Sequence, residues 1–199
     1  MKRTCILCIK PILVFLLFCL VNFAYAQNIK QLPEQTWQQV KSLQGIQSKS
    51  GMTNPSVFVF FDPNCPHCAK LWDAQVGGSK FNQTPAVWIP VSYLGETALG
   101  KSAALLRENT TASLGANFTG FNYETRQGAI ATVTPTDKEL KQIGQAKSVW
   151  LKLGGATPLI VFRGQTGDAQ LFLGLPSDAK LKEVVSLFTP STLSTFPAK

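Results

Sequence analysis

The stretch Val57–Val76, VFVFFDPNCPHCAKLWDAQV, decides how the chain is read. It opens on a short apolar, β-favouring run, Ser56–Phe61, too brief for a helix and best read as a buried central strand. It ends in a segment with Ala69, Trp72 and Val76 on one helical face. At the junction stands Cys65-Pro66-His67-Cys68, whose His67 is the only histidine in the chain. Pro66 suits the first helical position, because its missing N–H would be unpaired there and its φ is pre-set. Cys65 is then the cap, with its sulfur facing unpaired N–H groups and the positive end of the helix dipole. Both features favour thiolate. A helix N-terminus or a neighbouring histidine lowers a cysteine pKa from about 8.5 to roughly 3.5–7.5. Cys68 follows one turn later, close enough to close a disulfide, and is expected to be more buried and less ionised. The His67 imidazole is expected to favour the Cys65 thiolate.

Several chemistries compete for this pair. A structural staple would close a loop of only two residues and so constrain the unfolded chain little. A zinc or copper site would have Cys65, His67 and Cys68 but no second cluster to complete four ligands, and adjacent residues seldom reach one ion. Haem attachment needs a histidine after the second cysteine, where Ala69 stands. No cofactor and no metal is therefore expected. The remaining reading is a redox reagent, in which the Cys65 thiolate forms a mixed disulfide and Cys68 resolves it. Such pairs cover potentials from about −270 to −120 mV, roughly 7 kcal/mol.

Outward from the pair, residues 1–26 read as a secretory signal peptide. Lys2, Arg3 and Lys10 form the basic flank, PILVFLLFCLVNF the apolar segment, and Ala24-Tyr25-Ala26 the cleavage site. Pro11 and Asn22 interrupt a run already short of the about 20 residues a spanning helix needs. A lipoprotein signal is disfavoured by the bulky Phe18 before Cys19. Cleavage would remove Cys5, Cys8 and Cys19 and leave Cys65 and Cys68 alone in an oxidising compartment. It would also take three basic residues and no acidic ones, bringing the net charge from +8 to +5. The remaining basic residues are scattered, so nucleic acid is not an expected partner.

Residues 27–55 read as an N-terminal helix around Trp37, Val40 and Leu43 followed by a polar linker. Residues 56–188 read as the catalytic domain, with a helical insert over about 96–155 and a loose tail at 189–199. Ala86–Leu94 is a second strand, and the insert holds one helix in TALGKSAALLREN and a weaker helical segment in ETRQGAI. A third helix starts at a Thr136/Glu139 capping box and stops at Gly154-Gly155. TPLIVFRG and AQLFLGLP read as a hairpin about the turn QTGD, and a last helix is capped by Ser177 or Asp178. The order strand, helix, strand, helical insert, hairpin, helix predicts an α/β fold with a mixed central sheet.

Thr157-Pro158 opens the hairpin; proline is tolerated at the first residue of a strand, so the dipeptide alone is a simple boundary. With the strand and the Cys-x-x-Cys helix it resembles a thioredoxin-like fold. More specifically, FFDPNCPHCAKLW, GGATPLIVF and GLP (Gly174–Pro176) resemble the periplasmic DsbG/DsbC family of thiol–disulfide proteins, over about Pro33–Phe188. The resemblance implies Cys65 as nucleophile, Cys68 as resolving thiol, and Thr157 with a cis-Pro158 beside them, leaving the Thr157 backbone to pair with a substrate strand.

Two features depart from that pattern. The family usually carries Tyr where His67 stands, and Cys-Pro-His-Cys is the motif of the oxidase DsbA, which tends to have Val before its cis-proline where this chain has Thr157. Relatives also carry an N-terminal dimerisation domain, whereas Gln27–Pro55 alone precedes the first catalytic strand, so a monomer is expected. Val59, six residues before Cys65, occupies the position of a buried acid in thioredoxin and DsbA, which points proton movement to Cys68, solvent or His67. The resemblance implies a reductase or isomerase of periplasmic protein thiols and disulfides, served by a membrane thiol donor of the DsbD type. A DsbA-like oxidase with a DsbB-type partner, and a chaperone or assembly factor for a secretion or conjugation apparatus, remain as alternatives.

Overall fold

The period-two alternation of Val57–Phe61 organises the molecule, because consecutive strand residues point to opposite sheet faces. The structure, a computed structural model, describes residues 29–76 and 84–188. The signal peptide read at 1–26 and the tail read at 189–199 lie outside the described residues. The described strands are β1 (Ile29–Leu32), β2 (Ile46–Gln47), β3 (Val57–Phe61), β4 (Val87–Pro90), β5 (Leu159–Arg163) and β6 (Ala169–Leu173). The described helices are α1 (Glu34–Lys41), α2 (Pro66–Val76), α3 (Thr97–Glu108), α4 (Thr111–Thr119), α5 (Asp137–Lys152) and α6 (Asp178–Ser186).

The strands form one mixed sheet in the order β1-β6-β5-β3-β4-β2. β3 is central, parallel to β4 and antiparallel to β5, and all five of its residues are buried. Val57, Val59 and Phe61 pack with Leu71 and Trp72 of α2, Leu114 and Phe118 of α4, and Leu181 and Val184 of α6. Phe58 and Phe60 face the other way, toward Trp37 and Val40 of α1 and Ala146 and Trp150 of α5. The result is an α/β sandwich with helices on both sides of the sheet.

The hairpin β5–β6, the Thr136/Glu139 capping box and the Ser177 cap all form as expected. Gly154 and Gly155 follow the end of α5 at φ +117° and +63°, a conformation that glycine adopts without a Cβ penalty. Four features differ from the sequence reading, the first being α4, a helix over Thr111–Thr119 capped by Thr110 that the reading of the insert did not give. The N-terminal segment adds edge strands as well as a helix, since β1 pairs with β6 and β2 with β4. The second strand stops at Pro90, because the N–H groups of Tyr93 and Leu94 turn to the Asp62 carboxylate. The stretch ETRQGAI is not helical. Asn122 Oδ1 accepts from the N–H groups of Glu124 and Thr125, and Asn122 bridges Gln127, which closes a tight turn instead. No helix among the described residues is long and apolar enough to cross a membrane.

Candidate active site

The polar turn Asp62-Pro63-Asn64 lies between the end of β3 and the start of α2, and its side chains build the platform for Cys65. Asp62 is fully buried. Its Oδ1 accepts from Asn64 N–H at 2.8 Å, and its Oδ2 from Tyr93 N–H at 2.8 Å and Leu94 N–H at 2.9 Å. Burial raises its pKa despite these three donors. Asn64 donates to the Leu94 carbonyl and to Thr97 Oγ1, and its Oδ1 accepts from Lys101 Nζ at 3.1 Å. Lys101, itself only 5% exposed, also donates to Gln127 Oε1 and the Gly128 carbonyl, both at 2.7 Å. All three ammonium protons thus find oxygen acceptors, the condition for holding a lysine inside a fold. Asn117 of α4 donates to the Pro63 carbonyl at 3.1 Å. The insert therefore grips the loop that carries the nucleophile.

Cys65 N–H donates to the Asp62 carbonyl, while the Cys65 carbonyl accepts from the N–H groups of Cys68 and Ala69. Cys65 is thus the cap and Pro66 the first residue of α2. Both cysteines are reduced and buried, Cys65 at 2% exposure and Cys68 at 0%. Pro66 is half-buried and His67 exposed. A hydrogen bond from the Cys68 thiol, then bonds from the Thr157 hydroxyl and the Cys68 and His67 N–H groups, outweigh burial and bring the Cys65 pKa from 9.0 down to about 7. Burial, reinforced by Cys65 as neighbour, pushes Cys68 well above 9.0. The contribution of His67 that the structure displays comes from its backbone N–H.

The Thr157–Pro158 bond is cis. The Cys65 thiol donates to the Thr157 carbonyl at 3.6 Å, bringing together residues 92 apart in sequence. Pro158 in turn accepts at its carbonyl from Gly174 N–H at 2.8 Å, so the third quoted motif joins the same cluster. Cys65, Pro66, His67, Cys68, Thr157 and Pro158 therefore share one site. Val59 is a buried strand residue, and a buried acid stands instead at Asp62, three residues further on and in the loop that carries Cys65.

Sequence reading missed Asp62, Asn64, Tyr93, Lys101 and Gln127. Asp and Asn at a strand-to-helix turn are candidate side-chain acceptors, a usable signal for the first two. Lys101, set among small and apolar residues in TALGKSAALL, offered a weaker one. Among the described residues no group of three or more histidine, cysteine, aspartate or glutamate side chains is arranged to hold a metal ion.

A mixed sheet with a cysteine pair heading the helix after its central strand, opposed by a cis-proline loop, is a thioredoxin-like fold. Solved structures agree. A periplasmic thioredoxin-like protein from Salmonella enterica serovar Typhimurium superposes with TM-score 0.52 at 19% identity, covering 78% of this chain and 97% of that one. ScsC of Proteus mirabilis in a compact conformation gives TM-score 0.55 at 18% identity, covering 88% of each. In sequence, the chain is 26% identical over 159 residues to the thiol:disulfide interchange protein DsbG of Pseudomonas aeruginosa. That match covers 77% of this chain and spans only 60% of the length of that relative. No protein-family model matches the chain.

Proposed function

We propose that the chain is a periplasmic thiol–disulfide oxidoreductase acting on protein substrates, with Cys65 as nucleophile and Cys68 as resolving thiol. The observation that carries this reading is two buried thiols one helical turn apart at the start of α2, with the Cys65 sulfur 3.6 Å from the carbonyl of Thr157 before cis-Pro158, an arrangement that lowers the Cys65 pKa to about 7 and raises that of Cys68. Only the thiolate is nucleophilic, and an attacking thiol works best with a pKa near ambient pH.

The steps balance as follows. The Cys65 thiolate attacks one sulfur of a substrate disulfide. A Cys65–substrate bond forms, and the other substrate sulfur leaves as a thiolate. Cys68 then loses its proton, to that leaving sulfur or to solvent, and attacks the Cys65 sulfur. The Cys65–Cys68 disulfide forms and the second substrate thiolate departs. The substrate has gained two electrons and the cysteine pair has lost two. Run backward, the same steps oxidise a dithiol.

In the reductase or isomerase direction, of the DsbG/DsbC kind, a membrane thiol donor of the DsbD type restores the reduced pair. Likeness to a DsbG in sequence, and Thr157 in place of the valine of DsbA-like proteins, favour this direction. Action as a monomer belongs to the same proposal and is tested by sedimentation.

The test is to trap partners. Cys68→Ala leaves Cys65 with no resolving thiol, so periplasmic proteins should accumulate as mixed disulfides that reductant releases. Capture of no protein by this variant refutes the enzyme reading. Equilibration of the pair with glutathione then gives the direction: a potential near that of thioredoxin fits a reductase, and one near that of DsbA an oxidase with a DsbB-type partner. Full activity after replacement of both cysteines would turn the reading to a chaperone or assembly factor.

A further inference from the structure

We propose that Tyr93 and Leu151 form a substrate subsite beside Cys65, one that takes a bulky apolar side chain next to the reacting cysteine and disfavours a basic one. The inference deepens the functional reading above and rests on it, since a subsite matters only if Cys65 meets a substrate.

The position of the two residues is the first ground. The Cys65 sulfur lies 3.6 Å from the Thr157 carbonyl oxygen, and Thr157 Oγ1 lies 2.5 Å from Tyr93 Oη. One residue thus separates the Tyr93 ring from the reacting atom. Cys65 is 2% exposed, so an arriving sulfur must pass the side chains around it, whereas Tyr93 is 40% exposed. Leu151, 58% exposed, reaches over Gly155, with Cδ2 3.6 Å from the point where a Cβ of that residue would stand. The Trp150 ring joins the two: its edge lies 4.0 Å from the same point, and Tyr93 stacks on it with centroids 4.8 Å apart. Single exposed apolar residues are ordinary on a protein surface. Two joined through one buried indole, beside a nucleophile, make a patch at the place where a substrate must arrive.

The ring is also held before anything binds. Its main-chain N–H is bonded to the Asp62 carboxylate, its hydroxyl shares a hydrogen bond with Thr157, and one face rests on Trp150. A fixed aromatic side chain offers contact area at little cost in entropy. The charges beside it set the second preference. Lys147 Nζ donates to the Ser92 carbonyl at 3.1 Å, one residue from Tyr93, and Lys152 follows Leu151 and is exposed. No acid occurs between Gly144 and Arg163. Asp62 is sealed from solvent, and Glu96 stands beyond the turn at Gly95. A basic side chain brought here therefore meets like charge.

The test uses the reduced full chain and three blocked peptides, with Phe, Ser or Lys beside a single cysteine held as its mixed disulfide with thionitrobenzoate. The Cys65 thiolate attacks the peptide sulfur, the Cys65–peptide bond forms, and thionitrobenzoate leaves as the coloured thiolate. Each rate is divided by that peptide's rate with glutathione, which removes its intrinsic reactivity. The Phe peptide should react about fivefold faster than the Ser peptide, the scale of one aromatic contact. The Lys peptide should react roughly threefold slower than the Ser peptide at low salt. Tyr93→Ala should bring the Phe-to-Ser ratio close to one, and Tyr93→Phe, which keeps the ring, should preserve it. Leu151→Ser should lower it about twofold.

A wild-type ratio near one overturns the inference, as does a Lys peptide as fast as the Ser peptide. A ratio that survives Tyr93→Ala overturns it too, and so does one already lost in Tyr93→Phe, which would assign the effect to the hydroxyl. Should Tyr93→Ala fail to fold, an unchanged ratio in Leu151→Ser overturns it as well. None of these results touches the proposed function. A wild-type chain that reacts with none of the peptides faster than glutathione does would instead count against the functional reading itself.

Discussion

The two backbone segments that meet at Cys65 are supported in opposite ways. Asp62–Asn64 is sealed: Asp62 is 0% exposed and Asn64 1%, and a carboxylate, an amide and the Lys101 ammonium interlock beneath it. Ala156–Pro158 has no buried ion beneath it among the described residues: besides Cys65, one hydrogen bond reaches each residue from outside the segment, Trp150 to the Ala156 carbonyl, Tyr93 with the Thr157 hydroxyl and Gly174 to the Pro158 carbonyl, and Ala156 at its edge is only half-buried. Buried polar networks gain from a low dielectric and cost most when one member is removed, whereas rim contacts compete with water. The segment bearing the nucleophile is therefore fixed, and the segment lying opposite it, where the proposed substrate arrives, rests on a lighter support.

The sharpest way to break that comparison is to disturb the sealed side. A Cβ on Gly128 would collide with Asn117 Oδ1 and the Pro63 carbonyl, and the latter is backbone that cannot swing away. Gly128→Ala should cost about 3 kcal/mol in denaturant unfolding of the reduced chain, at the upper end of ordinary overpacking. Lys101→Met should cost about 2 kcal/mol, because the Gly128 carbonyl loses its ammonium donor while methionine relieves the lysine of its desolvation. Both should also slow Cys65 alkylation, since Asn64 adjoins Cys65. Unchanged stability in both variants would mean that the loop is held by packing alone.

This asymmetry also explains what could be read from the chain. Pro66, the Thr136/Glu139 box and Gly154-Gly155 act on neighbours within one turn, so they are legible locally. The five apolar residues of β3 announce a strand buried on both faces by composition alone. Lys101 is different: its acceptors lie 37, 26 and 27 residues away, and no local pattern says that a lysine in a helix of small residues turns inward. Strand β1 pairs with β6 near the far end of the chain, and β2 is two residues long, too short for any periodicity. The meeting of Cys65 with Thr157 became legible only through resemblance, because 92 residues separate them. The weak helix expected in ETRQGAI failed because Arg126 takes a left-handed φ of +54° and the backbone of Gln127 pairs back to Asn122, so the chain reverses after one turn.

A smaller effect follows from pH. In the reduced chain Cys65 ionises near 7, below its ordinary 9.0. Its contribution is fully present above about pH 9 and is lost as the pH falls through about 7. Cys68 has the opposite sign: its raised pKa contributes below the unfolded value and is lost at more alkaline pH. The reduced chain should therefore gain on the order of 2 kcal/mol between about pH 6.5 and about pH 8.5, then level off or fall. The oxidised chain, with no thiol to titrate, should lack this rise. Asp62 titrates in both states and cancels in the difference. A flat difference between reduced and oxidised stability across this range would contradict the ionisation on which the site depends.

The smallest effect is expected on the rim side. Trp150→Phe keeps a ring for Tyr93 to stack on but deletes the Nε1 donor to the Ala156 carbonyl. An ordinary hydrogen bond contributes about 1 kcal/mol net, and the freed carbonyl lies close enough to the rim for water to replace part of the loss. With the smaller ring also leaving a gap in the core beside Phe58 and Phe60, the variant should lose between about 1 and 2 kcal/mol, still below the cost of Gly128→Ala. Its Cys65 alkylation rate should stay close to wild type, because the Tyr93–Thr157 bond survives. Hydrogen exchange should instead speed up at the amides of Ala156 and Thr157 while those of Asn64 and Cys65 remain protected. Equal acceleration on both sides would mean that the two segments move as one body, and the division between a fixed nucleophile and a lightly held opposite face would have to be given up.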